Sequence, residues 1–322
     1  MEPDYFKLVN AVINHGLMSN SYKPALLRAL SDYAADRSDG LSISWEWLAE
    51  QFICYYWPLT VTYKLRQATV HDKDPVVMQL IRGEVERLKL PSNSSVSDYK
   101  SRHHEAFDEL VSRLSAPGKD CCLDEVVPRF HKVGRRSLAK LYKERDRAIL
   151  LSRGSLNFLQ DNHETLRLLS IGRWVKFTEK YSAAPRLYEK IEDKPRRNSL
   201  TRYRKTLNRL NLDVRCFYCE GLLEEEYDVE HFIPWSFVFE DKLWNLVAAC
   251  SGCNGDKDVS IPSSSWLEKL HKRNSQLAEM SQDPMVKRDL GEWKIRSLEQ
   301  HLNLLCDTAS AEGFASWEPS LS

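Results

Sequence analysis

Two short stretches decide how this chain is read: Cys216-Phe-Tyr-Cys219 and, beyond residues 220–249, Cys250-Ser-Gly-Cys253-Asn-Gly-Asp-Lys257. Two CxxC pairs in this arrangement supply four thiolates, the set that closes a tetrahedral structural Zn²⁺ site. Between the pairs, Tyr227-Asp-Val-Glu-His-Phe-Ile-Pro234 is rich in strand formers and Trp244-Asn-Leu-Val-Ala-Ala249 makes a second short apolar run, while Asn254 onward opens a helix. Strand, loop, strand, helix around one zinc ion is the expected module. The other cysteines, Cys54, Cys121, Cys122 and Cys306, lie in helical stretches and read as small buried residues. A long chain without a secretion signal has no use for a disulfide framework.

Outward from the module, charge changes sign abruptly. Residues 194–215 carry eight basic side chains against Asp213 alone, whereas residues 216–258 carry ten acids and two lysines. The whole chain is neutral, with 46 Lys+Arg and 46 Asp+Glu, so only this local asymmetry points to a polyanion. Arg196, Arg197, Arg202, Arg204 and Lys205 are the side chains expected to hold a nucleic-acid backbone. Trp235 and Phe237 are expected to pack the small core rather than stack on bases, and His103-His104 to sit on a solvated helix face.

Most of the chain before Lys194 reads as helix. Leu26, Leu27, Leu30 and Tyr33 recur at helical spacing after Ser19-Asn20-Ser21, Trp45, Leu48, Phe52 and Tyr55 do so up to Pro58, and Leu166, Leu169, Trp174, Phe177 and Tyr181 mark another stripe. Trp266, Leu270 and Leu277, then Ile295, Leu298, Leu302 and Leu305, predict docking helices after Pro262. The fold class is mainly α with a small α+β module, divided into a helical domain over 1–193, basic arm plus zinc module over 194–262, and C-terminal helices over 263–322. No apolar run is long enough to span a bilayer, and Met1 to Asn10 lacks the basic start and apolar run of a signal peptide, so a cytoplasmic protein with no membrane partner is expected.

The module carries groups suited to phosphodiester hydrolysis, which needs a base for water and a cation for developing charge. His231 is its only imidazole, Glu230 precedes it on an extended segment where neighbouring side chains point to opposite sides, and Asn254 offers a neutral amide oxygen beside a zinc ligand. CFYC, VEHFIPWS, WNLV and CSGCNGDK together resemble the HNH endonucleases, also called ββα-metal or His-Me-finger nucleases, in the subset braced by a four-cysteine zinc. The resemblance implies His231 as general base, Glu230 and Asn254 as ligands of a catalytic Mg²⁺ or Mn²⁺, Asn245 as the residue steadying the His loop, and Lys257 as a phosphate contact. It departs from the family at Glu230, where Asp or His is usual, and at Asn254, where His is frequent. Cys216, Cys219, Cys250 and Cys253 then hold a brace and not the catalytic ion, because four thiolates leave no open position.

The resulting expectation is a metal-dependent HNH endonuclease cutting DNA. SYKPALLRAL and RWVKFTEKY with APRLYEKIE resemble helical regions that precede HNH modules in bacterial restriction-type and anti-phage nucleases, which extends the expectation to such defence. The alternatives are a nonspecific or RNA-directed nuclease effector switched on by a partner, and a catalytically silent zinc module serving as a nucleic-acid adaptor. One HNH site cuts one strand at a time, so double-strand cleavage calls for a homodimer or two encounters, with the helical regions as the interface to a second copy or a partner protein.

Overall fold

The leucine stripe at 26, 27 and 30 is fully buried on a helix over Tyr22–Asp36, whose Tyr22 N–H is taken by the Asn20 side chain at 3.1 Å. This helix packs along His163–Thr178, the helix of the Trp174 stripe, and the Trp174 ring lies 4.8 Å from that of Tyr56. Burying an apolar side chain of this size stabilises a fold by about 1.5–3 kcal/mol, so such stripes dominate this region. The computed structural model describes residues 4–36, 40–68, 73–133, 136–137, 140–193, 199–210, 215–224, 227–280, 282–291 and 293–319.

The chain divides into two compact units, residues 1–183 with 187–194, and residues 184–186 with 195–322. Two features of the first unit depart from the sequence reading. The helix Trp45–Trp57, capped by Ser44 Oγ, does not stop at Pro58 but widens into a π-turn over Pro58–Thr62, closed by Tyr63 N–H to Pro58 O at 2.9 Å. A wider turn accommodates the proline ring where a regular α-turn would clash with it. The second departure is a three-stranded antiparallel sheet, ordered Ser42–Ser44, Ala148–Leu151, Tyr142–Arg145, in a region expected to be helical. Its hairpin turns at Asp146 and Arg147, with φ of 49° and 55°. Both central residues are left-handed without the usual Asn-Gly signal. Arg147 is held there from outside the turn, its guanidinium 4.4 Å from the Trp45 ring and Nη1 donating to Ser115 O at 2.7 Å.

In the second unit, Asp228–His231 pairs antiparallel with Leu246–Ala249, Asp228 opposite Ala249 and His231 opposite Leu246. The helix Thr201–Leu210 packs on both strands through buried Tyr203, Thr206 and Leu207. Helices over Ser264–Met280, Pro284–Leu290 and Ile295–Ala311 follow, and Ile261–Pro262 pairs in parallel with Ser316–Trp317. Trp235 and Phe237 pack into this unit, Phe237 against Phe314 with ring centroids 5.6 Å apart. The architecture is mainly α with one small α+β module. Among the described residues no helix is long and apolar enough to cross a membrane.

Candidate active site

The zinc cluster fixes the module first. The ligand atoms of Cys216, Cys219, Cys250 and Cys253 all lie within 4.8 Å of one another. Cys250 also starts the helix Ser251–Lys257, its Sγ accepting the Cys253 N–H at 3.4 Å, so the helix opens three residues before Asn254. Burial pushes the Cys216 thiol up, but N–H groups of Cys219, Cys250 and Tyr218 outweigh that and bring it down to about 7. The Cys253 and Cys219 thiols are held above their ordinary range, Cys253 first by burial. Four thiols this close cannot all ionise without a cation between them, and the all-sulfur set fits tetrahedral Zn²⁺.

The zinc helix lies against the Asp228–His231 strand, and the two periodicities match. Residues two apart on a strand share a face, and residues three apart on a helix share one. Asn254 Nδ2 accordingly donates to Asp228 Oδ2 at 3.0 Å, and Lys257 Nζ donates to Glu230 Oε1 at 2.7 Å and to His231 O at 2.9 Å. Lys257 is 0% exposed, which corrects the expectation of a phosphate contact: its ammonium is an internal counter-charge that pins helix to strand. Burial lowers its pKa and Glu230 opposes that shift. Removing one partner of such a pair costs about 3–5 kcal/mol.

His231 follows Glu230 and projects from the other side of the strand. Its Nε2 lies 3.0 Å from Asp241 Oδ1, a carboxylate only 7% exposed. An ionised carboxylate only accepts hydrogen bonds, so this contact puts the imidazole proton on Nε2 and leaves the Nδ1 lone pair for a water. Asp241 is fixed in turn, its carbonyl accepting from Tyr203 OH at 2.5 Å, while the neighbouring Leu243 N–H goes to Asp289 Oδ2 at 2.9 Å. Asn245, fully buried, brackets the chain after His231: its Oδ1 accepts from Ile233 N–H and its Nδ2 donates to Ile233 O, both at 2.8 Å.

The structure thus brings together Glu230, His231, Asn245, Asn254 and Lys257, and adds Asp228 and Asp241. Strand alternation from Glu230 would have found Asp228. Asp241 had no spacing signal, because the short helix Trp235–Val238 folds the intervening loop back. On the adjoining helix Thr201–Leu210, Arg202 and Lys205 are exposed, and Arg204 Nη1 donates to Tyr227 O at 3.4 Å. Arg196 and Arg197 lie outside the described residues. Among the described residues, no hydrogen bond engages Glu230 Oε2 or Asn254 Oδ1, and both side chains are partly exposed. With the Asp228 carboxylate they are the oxygen donors of this strand and helix that could hold a hard divalent cation such as Mg²⁺.

Residues 218–263 match a family model described as HNH endonuclease. Together with the four-cysteine cluster, this segment fits an HNH nuclease with a zinc site. Residues 3–114 match a model described as a domain of unknown function. No curated protein and no solved structure matches the chain.

Proposed function

We propose that the protein is a metal-dependent endonuclease that hydrolyses DNA phosphodiester bonds, with His231 as general base. The observation that supports it most is the pairing of His231 with Asp241 across the strand from the open oxygens of Glu230 and Asn254, inside a segment matching HNH endonucleases. Bound at those oxygens, Mg²⁺ or Mn²⁺ would supply charge neutralisation at the scissile phosphate. The chain's residues do the rest. Asp241 orients the imidazole, His231 Nδ1 takes the proton of the attacking water, and Asn245 fixes the backbone after the base. Arg202, Arg204 and Lys205, with Arg196 and Arg197, neutralise flanking phosphates that the acidic module would otherwise repel. The helical region 1–193 serves recognition, regulation or partner binding, and the setting in restriction or anti-phage defence rests on the resemblance of its SYKPALLRAL segment.

Nicking of supercoiled plasmid in Mg²⁺ tests this directly. His231→Ala is expected to slow nicking about 10²–10⁴-fold with DNA affinity and zinc content unchanged. Asp241→Asn is expected to lower kcat with little change in KM, and Asp241→Glu to restore part of it. Glu230→Ala and Asn254→Ala should raise the Mg²⁺ needed. A wild-type protein that binds DNA but does not nick it in Mg²⁺ or Mn²⁺ is the silent adaptor instead.

A further inference from the structure

The first unit contains a cavity of about 340 Å³ lined by Leu17, Met18, Lys23, Glu125, Val126, Arg129 and their neighbours. Three cations border it: Lys23, Arg129 and Lys132. Lys23 sits in the first turn of the helix Tyr22–Asp36, where the helix dipole adds positive potential. Lys23 is 9% exposed, yet among the described residues its ammonium donates only to a backbone carbonyl, Lys132 O at 3.0 Å. Among the described residues no carboxylate pairs with Lys23, Arg129 or Lys132. The one acid in the wall, Glu125, is already taken by Asn20 Nδ2 at 3.0 Å and Ser19 Oγ at 3.3 Å.

A buried ammonium without a counter-anion is costly, and a fold keeps one where something compensates it. Burial alone pushes the Lys23 pKa down, with no neighbouring acid to raise it. Gly16 lies beside the group: a Cβ there would stand 2.2 Å from Val12 O and 2.9 Å from Lys23 Nζ. Leu17, Met18 and Val126 give the lining an apolar part, and the volume falls in the range of small-molecule sites.

We propose that this cavity binds a small phosphomonoester, its dianion seated between Lys23, Arg129 and Lys132 and its organic body against Leu17, Met18 and Val126. A point-charge lysine and an arginine fork together favour a phosphoryl group over a lone carboxylate. The recessed position of Lys23 favours a terminal phosphate over a duplex backbone. The site is independent of the nuclease reading.

Calorimetric titration of the full-length protein at matched ionic strength, with inorganic phosphate and with adenosine 5′-monophosphate as probes, decides it. Both are expected to bind, the nucleotide more tightly, with dissociation constants of about 1 mM or below. Lys23→Met and, separately, Arg129→Ala should weaken each about tenfold or more, and His231→Ala should leave both unchanged. Arg129 is exposed, so that variant reads the site even where Lys23→Met disturbs folding. Wild-type affinity in a folded Arg129→Ala protein, or no binding of either probe, overturns the proposal. Nucleotide affinity no greater than that of phosphate removes the organic body from it. Displacement of the nucleotide by duplex DNA, without added divalent metal, would instead make the cavity a backbone contact and overturn the small-molecule assignment.

Discussion

The helical unit and the zinc module both bury their interiors, but different kinds of residue specify them. In the first, Leu26, Leu27 and Leu30 against the Trp174 helix form a stripe in which residues of similar volume could substitute for one another. In the second, Asn245 brackets Ile233 with two bonds, Lys257 pins Glu230, and four sulfurs meet within 4.8 Å. No apolar replacement reproduces those contacts. One region is thus held by area, the other by particular atoms, and each should fail under a stress that spares the other.

Zinc removal should give the largest effect. Apparent zinc-binding free energies in small modules are about 10–16 kcal/mol near neutral pH, so chelation or Cys250→Ser should open the module. Limited proteolysis is expected to cut within 215–262 while the helical unit stays protected. A chelated protein that remains resistant throughout would break the comparison. The converse perturbation is Leu30→Ala, a deletion at a fully buried site, which should cost the first unit about 2–5 kcal/mol in urea unfolding while zinc content stays at one per chain.

A third prediction uses acid. His131, in the first unit, accepts the Leu141 N–H at 2.9 Å through Nε2, so its folded form is neutral there. Burial, aided by Lys140 and Lys23, brings its pKa down to about 4. The unfolded chain takes up this proton near the ordinary value of about 6.5 and the folded one does not. The stability it contributes is therefore complete above that pH and falls, by about 1.4 kcal/mol per unit, as pH drops toward about 4. His131→Gln should flatten the difference between urea midpoints at neutral and mildly acidic pH. An equal slope in both proteins would assign it to other groups.

The smallest effect concerns the surface of the second unit. Arg202→Ala with Lys205→Ala should leave stability within about 0.5 kcal/mol, since both are exposed. The dependence of log DNA affinity on log salt should become shallower by about two at most, near 0.9 for each phosphate that is no longer neutralised. A salt titration overlaying the wild type would make this helix face merely solvated.

The same contrast explains what could be read beforehand. The zinc ligands and the strand-loop-strand-helix order were legible because metal chemistry fixes residue type and spacing together. The stripes at Leu26 and Trp174 were legible only as helices, since apolar periodicity names a face but no partner. The 142–151 hairpin was hidden because Asp146 and Arg147 hold left-handed φ through contacts with Trp45 and Ser115, which lie far away in sequence. Lys257 misled for a related reason. A lysine just past an Asn and a CxxC reads as a surface charge, and only the packing of helix on strand reveals that it is enclosed.

The parallel pairing of Ile261–Pro262 with Ser316–Trp317 has a consequence for biosynthesis. Trp317 also reaches back to the zinc helix, donating Nε1–H to Asp256 Oδ2 at 2.9 Å, and its ring stands edge-on to Tyr218, between two zinc ligands, at 4.9 Å. During translation every residue of the candidate active site leaves the ribosome before this strap is made, because residues 263–315 come between. A two-turn helix is too short to persist unaided. The nascent chain must therefore display its full set of site residues for a time without the last of their supports, and a chain broken off before Ser316 would carry the motif but not its buttress.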